Sequence, residues 1–83
     1  MVTFSYTVRG AMGLHARPVA ELSAAARAWE SEIWIAVGAR RSSARDLMGL
    51  MELDAHCGDE LAVSVAGPDE EAAAAALREV LTF

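Results

Sequence analysis

The sequence predicts an α+β domain, and three observations support this fold class. Segments with apolar residues at every second position are interspersed with segments whose apolar residues recur at helical spacing. Each alternating segment has one apolar face, which is typical of an antiparallel sheet covered on one side. The length of 83 residues suits a single domain. We therefore expect a two-layer, open-faced sandwich over residues 1–83, with a four-stranded antiparallel sheet in the order 1-4-2-3 and three helices on one face.

The predicted strands are short and apolar on one face. In the first strand, Val2, Phe4 and Tyr6 alternate with Thr and Ser, which is the period-two pattern of a half-buried strand. Trp34 stands between two isoleucines that face the core, so we expect its ring on the open face of the sheet. The four strands are predicted at residues 2–8, 32–37, 40–44 and 60–66.

The predicted helices begin with residues that suit a helix N-terminus. Pro18 falls in the first turn of the first helix, and Asp46 is suited to cap the second. Gly49 inside that second helix costs about 1 kcal/mol relative to Ala, so the position calls for a reason, and close approach of another backbone is one. Helices are expected at residues 16–29 and 46–53, and residues 67–71 (GPDEE) open a third helix, with the acidic residues in its first turn. The last helix should bury Ala72, Ala76, Leu77 and Val80.

Composition argues against several classes of function. The net charge is −5, and the seven cationic side chains are all Arg, so general nucleic-acid binding is not expected. No run approaches the length of about 20 apolar residues that crosses a membrane, and no signal peptide is visible. With Cys57 as the single cysteine, no internal disulfide can form. We expect a cytoplasmic protein without membrane insertion.

Two smaller clusters have ordinary structural explanations. His56 and Cys57 are adjacent, but two ligands without a second pair make a weak metal site, so we expect a loop histidine and a half-buried cysteine. Arg40, Arg41 and Arg45 suit a solvated sheet edge, and the same three charges also suit steering of an acidic partner. We expect neither a metal nor another cofactor.

The segment GLHARP at residues 13–18 carries the clearest chemical signal. His15 precedes a helix whose first-turn amides have no acceptor within the helix, and such amides bind anions. Arg17 adds a positive charge and a donor pair that suits phosphate. A cation and a helix N-terminus both disfavour imidazolium, so His15 should be a neutral nucleophile. The alternative is a histidine that caps the helix or lies exposed in a loop.

Three segments together resemble one known family. Residues 13–18 (GLHARP), 46–51 (DLMGLM) and 58–61 (GDEL) are similar to the corresponding segments of HPr, the histidine-containing phosphocarrier of the bacterial sugar phosphotransferase system. The order of strands and helices is similar as well, so the resemblance covers essentially the whole chain. It implies a monomeric phosphocarrier that is not a stand-alone enzyme.

The resemblance also implies roles for individual residues. His15 would accept phosphate on Nδ1 from enzyme I and pass it to an enzyme IIA domain, while Arg17 and the amides of Ala16 and Arg17 would bind the phosphate. The partner proteins would dock on an apolar patch, for which we expect three exposed residues beside a buried Leu50 and Leu53. The patch consists of Leu47, Met48 and Met51.

Three residues depart from the family pattern. Asp46 replaces the regulatory serine, so control by a serine kinase should be absent; Asp46 would act as a helix cap that carries part of the charge of a phosphate. Met12 replaces a small polar residue near the active histidine, and Asp54 replaces a common glycine. These changes leave a second hypothesis open, namely a regulatory binding module of the same fold that docks partners with little or no phosphotransfer.

Overall fold

A computed structural model describes residues 1–10 and 16–82 of the chain. This part forms the predicted four-stranded antiparallel sheet with strand order β1-β4-β2-β3, together with three helices, so the predicted fold class is confirmed. No helix in these two ranges is long and apolar enough to cross a bilayer. In chain order, the elements are β1 (Val2–Thr7), α1 (Ala16–Ala26), β2 (Glu32–Val37), β3 (Arg40–Ser43), α2 (Leu47–Glu52), β4 (Glu60–Ala66) and α3 (Glu70–Val80).

Strand β4 lies inside the sheet and aligns the apolar faces of its two neighbours. Val63 of β4 is opposite Phe4 of β1 on one side and Ile35 of β2 on the other. Because side chains alternate along a strand, this register puts the apolar residues of three strands on the same face. That face packs under the helices and forms the core with Val19, Leu22, Leu50, Leu53 and Leu77.

The opposite face of the sheet carries polar and charged residues, among them Glu32, together with Trp34. As predicted, Trp34 points away from the buried Ile33 and Ile35, and it is half-buried. The guanidinium carbon of Arg41 lies 4.2 Å from the centroid of its ring, so a cation–π contact covers part of the indole.

Helix α1 ends at Ala26, three residues before the predicted end. The amides of Ala28 and Trp29 donate to carbonyls three residues back, so the last turn tightens. The guanidinium of Arg45 donates to the carbonyl of Trp29 and, at 3.2 Å, to that of Ser31. Arg45, which is distant in sequence, therefore binds the end of the segment 16–29 that the local pattern predicted to be helical throughout.

The bounds of β1, β3 and α2 differ from the predictions by one residue, those of β2 and β4 match, and α3 begins at Glu70, within the predicted opening segment. Strand β1 ends at Thr7 because Val8 bonds to the turn before β4: its amide donates to Asp59 and its carbonyl accepts from Gly58. Strand β3 ends at Ser43, and α2 excludes both ends of the predicted segment because Asp46 and Leu53 are its caps.

The buried stripe of α3 differs from the predicted one. Ala73, Ala74 and Leu77 are buried, whereas Ala72 is exposed and Ala76 and Val80 are partly buried. Residues 72–76 are all Ala, so this run does not distinguish a buried face of the helix from an exposed one. Leu77 determines the phase, since residues three and four positions earlier share its face.

Candidate functional site

The candidate site begins at the N-terminus of α1. Pro18, Val19 and Leu22 are buried and fix the first two turns of α1 against the core. Pro18 suits this position because its ring presets the helical φ angle and its missing N–H costs nothing in the first turn. Ala16 and Arg17, the first two residues of α1, are both exposed. Helix geometry leaves the first-turn amides without an acceptor in the helix.

His15, the predicted phosphoryl acceptor, lies outside the described residues, as does Met12. The described chain resumes at Ala16, which directly follows His15 in sequence and is the first residue of α1. The predictions for Ala16 and Arg17 therefore fall on described residues, and the prediction for His15 does not.

Arg17 extends along the surface of α1 towards solvent. Its side chain is 87% exposed, and its Nε lies 4.0 Å from a carboxylate oxygen of Glu21, one turn later. An exposed pair at this distance is weak, typically below about 1 kcal/mol, so the guanidinium can turn to another anion at little cost. Glu21 was not among the predicted site residues, although the spacing of four residues from Arg17 is the usual signal for such a pair.

Asp46 occupies the predicted regulatory position and caps α2. It has extended backbone angles, with φ −97° and ψ 97°, and its carboxylate accepts a hydrogen bond of 3.0 Å from the amide of Gly49. This is the usual N-cap contact and confirms the predicted cap. A carboxylate therefore stands where the family resemblance implies a serine.

Two side chains, and not the other backbone that the sequence analysis offered as one reason, explain Gly49. A Cβ atom at this position would collide with the hydroxyl oxygen of Ser42 and lie 2.8 Å from a carboxylate oxygen of Asp46. Gly49 thus allows α2 to pack against β3 while Asp46 keeps its capping position.

Helix α2 exposes three large apolar residues. Leu47 is 40% exposed, Met48 67% and Met51 37%, whereas Leu50 and Leu53 are buried as predicted. Apart from Met1, these are the large apolar residues that the described part of the chain exposes. Their position on one short helix makes a contiguous patch, which we call the α2 patch, and such patches commonly mark interaction sites.

Hydrogen bonds at Arg45 hold α2 beside α1. The carbonyl of Arg45, just before α2, accepts from the hydroxyl of Ser23 at 3.3 Å and from the guanidinium of Arg27 at 3.1 Å. The guanidinium of Arg45 points inward to backbone carbonyls, so Arg45 is half-buried. The three clustered arginines therefore do not form one exposed surface: Arg40 and Arg41 lie at the sheet edge, and Arg45 is an internal anchor.

The loop between α2 and β4 places His56 and Cys57 on the surface. His56 is an exposed loop histidine, as predicted, and Cys57 is exposed rather than half-buried. The imidazole of His56 lies 3.5 Å from Asp54 and 3.9 Å from Asp59. Within residues 1–10 and 16–82, no group of three or more His, Cys, Asp or Glu residues is arranged to hold a metal.

The backbone after α2 explains why the family commonly has glycine where this chain has Asp54. Asp54 has a φ angle of 51°, the left-handed conformation that commonly follows a helix. Glycine adopts this conformation without a steric cost, and Asp is among the few other residues that tolerate it. The position therefore favours Gly for a conformational reason.

A family model and a similar protein sequence both match this chain over nearly its whole length. The family model described as "PTS HPr component phosphorylation site" matches residues 2–82. The phosphocarrier protein HPr of Treponema pallidum (strain Nichols) is 39% identical over 80 residues, which cover 96% of this chain and 91% of that protein.

Solved structures agree with the sequence comparison. The crystal structure of HPr-C-His from Thermoanaerobacter tengcongensis has a TM-score of 0.91 and 32% identity, covering 98% of this chain and 91% of that one. An HPr dimer from the same organism has a TM-score of 0.76 and 33% identity, covering 90% and 86% of the two chains. Both similarities extend over most of the fold and not only the GLHARP segment.

Proposed function

The chain belongs to the HPr family of the phosphotransferase system, and we propose that it accepts a phosphoryl group from enzyme I on His15 and passes it to an enzyme IIA domain. The observation that carries this proposal is the start of α1 directly after His15, with Arg17 exposed in the first turn. A nucleophile at this place would have the amides of the first helical turn and a solvent-exposed cation beside it.

The proposed reaction is a direct phosphoryl exchange. A neutral imidazole nitrogen of His15 forms a bond to phosphorus while the bond from phosphorus to the donor group of phosphorylated enzyme I breaks and leaves its electron pair on that donor group. The amides of Ala16 and Arg17 and the guanidinium of Arg17 stabilise the charge on the phosphoryl oxygens. A charge-assisted hydrogen bond of this kind contributes about 1.5–3 kcal/mol.

Two features support a carrier and not a stand-alone enzyme. The site consists of an exposed helix end, and both Ala16 and Arg17 are open to solvent. A phosphoryl group bound there is accessible to a second protein, and the α2 patch offers partners a docking surface nearby. The chain thus acts as a substrate of its partner enzymes, and we propose that it does so as a cytoplasmic monomer.

Asp46 removes one level of control from this proposed cycle. A serine kinase needs a hydroxyl group, and the carboxylate of Asp46 is engaged with the amide of Gly49. We propose that phosphotransfer through His15 in this chain proceeds without regulation by phosphorylation at residue 46.

The test is labelling from phosphoenolpyruvate. Wild type, His15→Ala and His56→Ala are incubated with labelled phosphoenolpyruvate and enzyme I from the organism that encodes this chain. We expect label in wild type and in His56→Ala, none in His15→Ala, and a phosphohistidine that is labile in acid and stable in base. His56 is the matched control, because it is exposed and lies between Asp54 and Asp59, which repel a phosphoryl group.

Two results would overturn the proposal. Label that survives in His15→Ala would assign the acceptor to another residue. Absence of label in wild type, with active enzyme I, would replace phosphotransfer by the regulatory docking function.

A further inference from the structure

A cleft beside β3, the edge strand next to β2, has a lining separate from the residues of the phosphoryl site. We propose that this cleft binds a small hydroxylated oxyanion, such as a sugar acid or a sugar phosphate. The cleft, which we call the β3 cleft, measures about 460 Å³, a volume typical of small-molecule sites. Its lining in the described part of the chain includes neither Ala16 nor Arg17, nor any member of the α2 patch. The inference therefore goes beyond the proposed phosphotransfer and does not depend on it.

Arg41 is held in place at the β3 cleft while its hydrogen-bond donors stay available. Its guanidinium carbon lies 4.2 Å from the centroid of the Trp34 ring, and both residues line the cleft. A cation–π contact uses the charge of the guanidinium and leaves the N–H groups free to bind a carboxylate or a phosphate. Because the ring already orders the side chain of Arg41, binding of an anion costs less conformational entropy.

Arg40 brings a second unpaired cation to the β3 cleft. The chain has twelve acidic residues and seven arginines, yet within residues 1–10 and 16–82 neither Arg40 nor Arg41 forms an ion pair or a side-chain hydrogen bond. Arg27 and Arg45, in contrast, donate to backbone carbonyls. Both Arg40 and Arg41 are exposed, so an anion in the cleft meets two cations whose donors are not engaged.

The wall of the β3 cleft formed by α2 and its cap is acidic. The carboxylate of Asp46 is engaged with the amide of Gly49, whereas Glu52 is exposed and has no cationic partner in the described ranges. The unengaged charges in the cleft are therefore two guanidinium groups and one carboxylate. This balance suits a ligand with a single anionic group and a hydroxyl that donates to Glu52, and it disfavours a polyanion, which Glu52 would repel.

Short side chains surround the pair formed by Arg41 and Trp34. Trp34 is opposite Ser43 on β3 and Ser64 on β4, and Arg41 is opposite Ala36. Residues opposite one another share a face of the sheet, so these three small neighbours leave space beside the indole and the guanidinium. Arginines on an edge strand also deter pairing with another strand, but that role does not require a ring in contact with the guanidinium.

The first test is a ligand titration followed by NMR of isotopically labelled protein. The probes are ribonate and ribose 5-phosphate, which combine hydroxyls with an anion, together with acetate, which lacks hydroxyls, and uncharged ribose. We expect the two hydroxylated anions to shift the amide signals of Arg40 and Arg41 and the indole N–H signal of Trp34 saturably, with a Kd of about 1–10 mM. Whichever of them binds tighter identifies the anion as carboxylate or phosphate.

Acetate and ribose should bind at least about tenfold more weakly, because each lacks one of the two kinds of contact. Two results would overturn the proposal. The first is a lack of saturation below about 50 mM with both ribonate and ribose 5-phosphate. The second is binding of acetate or ribose that is as tight as binding of the hydroxylated anions.

The second test compares two arginines that each lie over an aromatic ring. Arg41→Gln should raise the Kd for ribonate about tenfold or more, since the charged fork is lost. Arg78→Gln is the matched control, because the guanidinium carbon of Arg78 lies 4.6 Å from the centroid of the Phe4 ring and Arg78 does not line the cleft. It should leave the Kd unchanged. An equal rise in both variants would show a general effect of charge and overturn the assignment; thermal unfolding checks that both variants keep the fold.

The third test addresses the hydroxyl contact through Glu52. Glu52→Ala removes both the acceptor for a hydroxyl and the repulsion of an anion, so binding of ribonate should weaken relative to binding of acetate. We expect the preference for ribonate over acetate to fall at least about threefold in this variant. An unchanged or larger preference would show that Glu52 does not recognise the hydroxyl and would overturn the ligand class proposed for the β3 cleft.

Discussion

At residue 46, one side chain caps α2 and, as we propose, stands in place of a modifiable serine. The Asp46 carboxylate accepts a hydrogen bond from the amide of Gly49. A serine hydroxyl can make the same contact at a helix N-cap. A kinase that phosphorylates serine at this place in HPr proteins should therefore leave this chain unmodified. Mass spectrometry after incubation with such a kinase is the measurement, and Asp46→Ser is the control that should restore an acceptor hydroxyl.

The neighbouring serines make this prediction specific. Ser42 is buried and its hydroxyl donates to the carbonyl of Ser43, while the hydroxyl of Ser43 accepts from the amide of Arg45. Neither serine therefore offers an exposed hydroxyl group to a kinase. Stoichiometric phosphate on Ser42 or Ser43 in wild type would contradict the assignment of residue 46 as the regulatory position.

Asp54 carries a conformational cost that a single substitution should remove. Its φ angle of 51° is unfavourable for a residue with a Cβ atom. We expect Asp54→Gly to raise the free energy of unfolding by about 0.5–1 kcal/mol, because glycine adopts this conformation freely. The contact of Asp54 with His56 is exposed and contributes little against this gain.

Urea denaturation at neutral pH is the measurement for Asp54. Asp54→Ala is the matched control, since it removes the carboxylate and keeps the Cβ atom, and it should not be stabilising. Equal stabilisation by Gly and Ala would show that charge and not backbone conformation determines the effect.

At the scale of elements, Asp69 joins the start of α3 to the connection between α1 and β2. Its carboxylate accepts hydrogen bonds from the amides of Glu30, at 3.0 Å, and Ser31, at 2.9 Å, and from the hydroxyl of Ser31. The Ser31 hydroxyl and then the Glu30 amide lower the pKa of Asp69 below its ordinary value. Ser31 is fully buried, so this contact connects the loop to the interior.

The lowered pKa of Asp69 predicts a dependence of stability on pH. The carboxylate is ionised more readily in the folded chain than in the unfolded one, so it stabilises the fold above the unfolded pKa, near 4. This contribution disappears as the pH falls through the folded pKa. We therefore expect Asp69→Asn to be less stable than wild type at neutral pH and to approach wild type in acid.

Thermal unfolding between neutral and strongly acidic pH checks this expectation. Glu32→Gln is the control, because Glu32 is exposed on the open face of the sheet and its replacement should leave the wild-type pH profile intact. A constant difference between Asp69→Asn and wild type at every pH would exclude the ionised carboxylate as the cause.

For the whole molecule, we expect a monomer. The net charge of −5 opposes self-association, and the α2 patch offers only three partly exposed apolar residues. An HPr dimer exists among the similar solved structures, so the expectation is open to refutation. Size-exclusion chromatography with light scattering should give a mass near 8.8 kDa at all concentrations tested. A concentration-independent mass of twice that value would establish a dimer.

The type and order of the elements were determined by the sequence alone. The strands alternate in hydrophobicity, so their apolar faces, and with them the position of Trp34 on the open face, can be read from period two. The exposure of Leu47, Met48 and Met51 was also predicted, from the family resemblance and from the expectation that a short apolar helix buries two residues, here Leu50 and Leu53. The GLHARP segment identified Ala16 and Arg17 as candidate site residues, since helix-start chemistry depends on neighbours in sequence.

Only the tertiary structure decided the features that depend on residues far apart in the chain. Helix α1 ends at Ala26 where Arg45 binds the carbonyls that follow, and the need for Gly49 arises from Ser42 on another element. The stripe of α3 follows Leu77, because five consecutive alanines have no preferred face before they pack. Hydrophobic periodicity reflects the average environment of a whole segment. The end of a helix, or the close packing of two elements, depends on a single contacting residue whose position is known only in the folded chain.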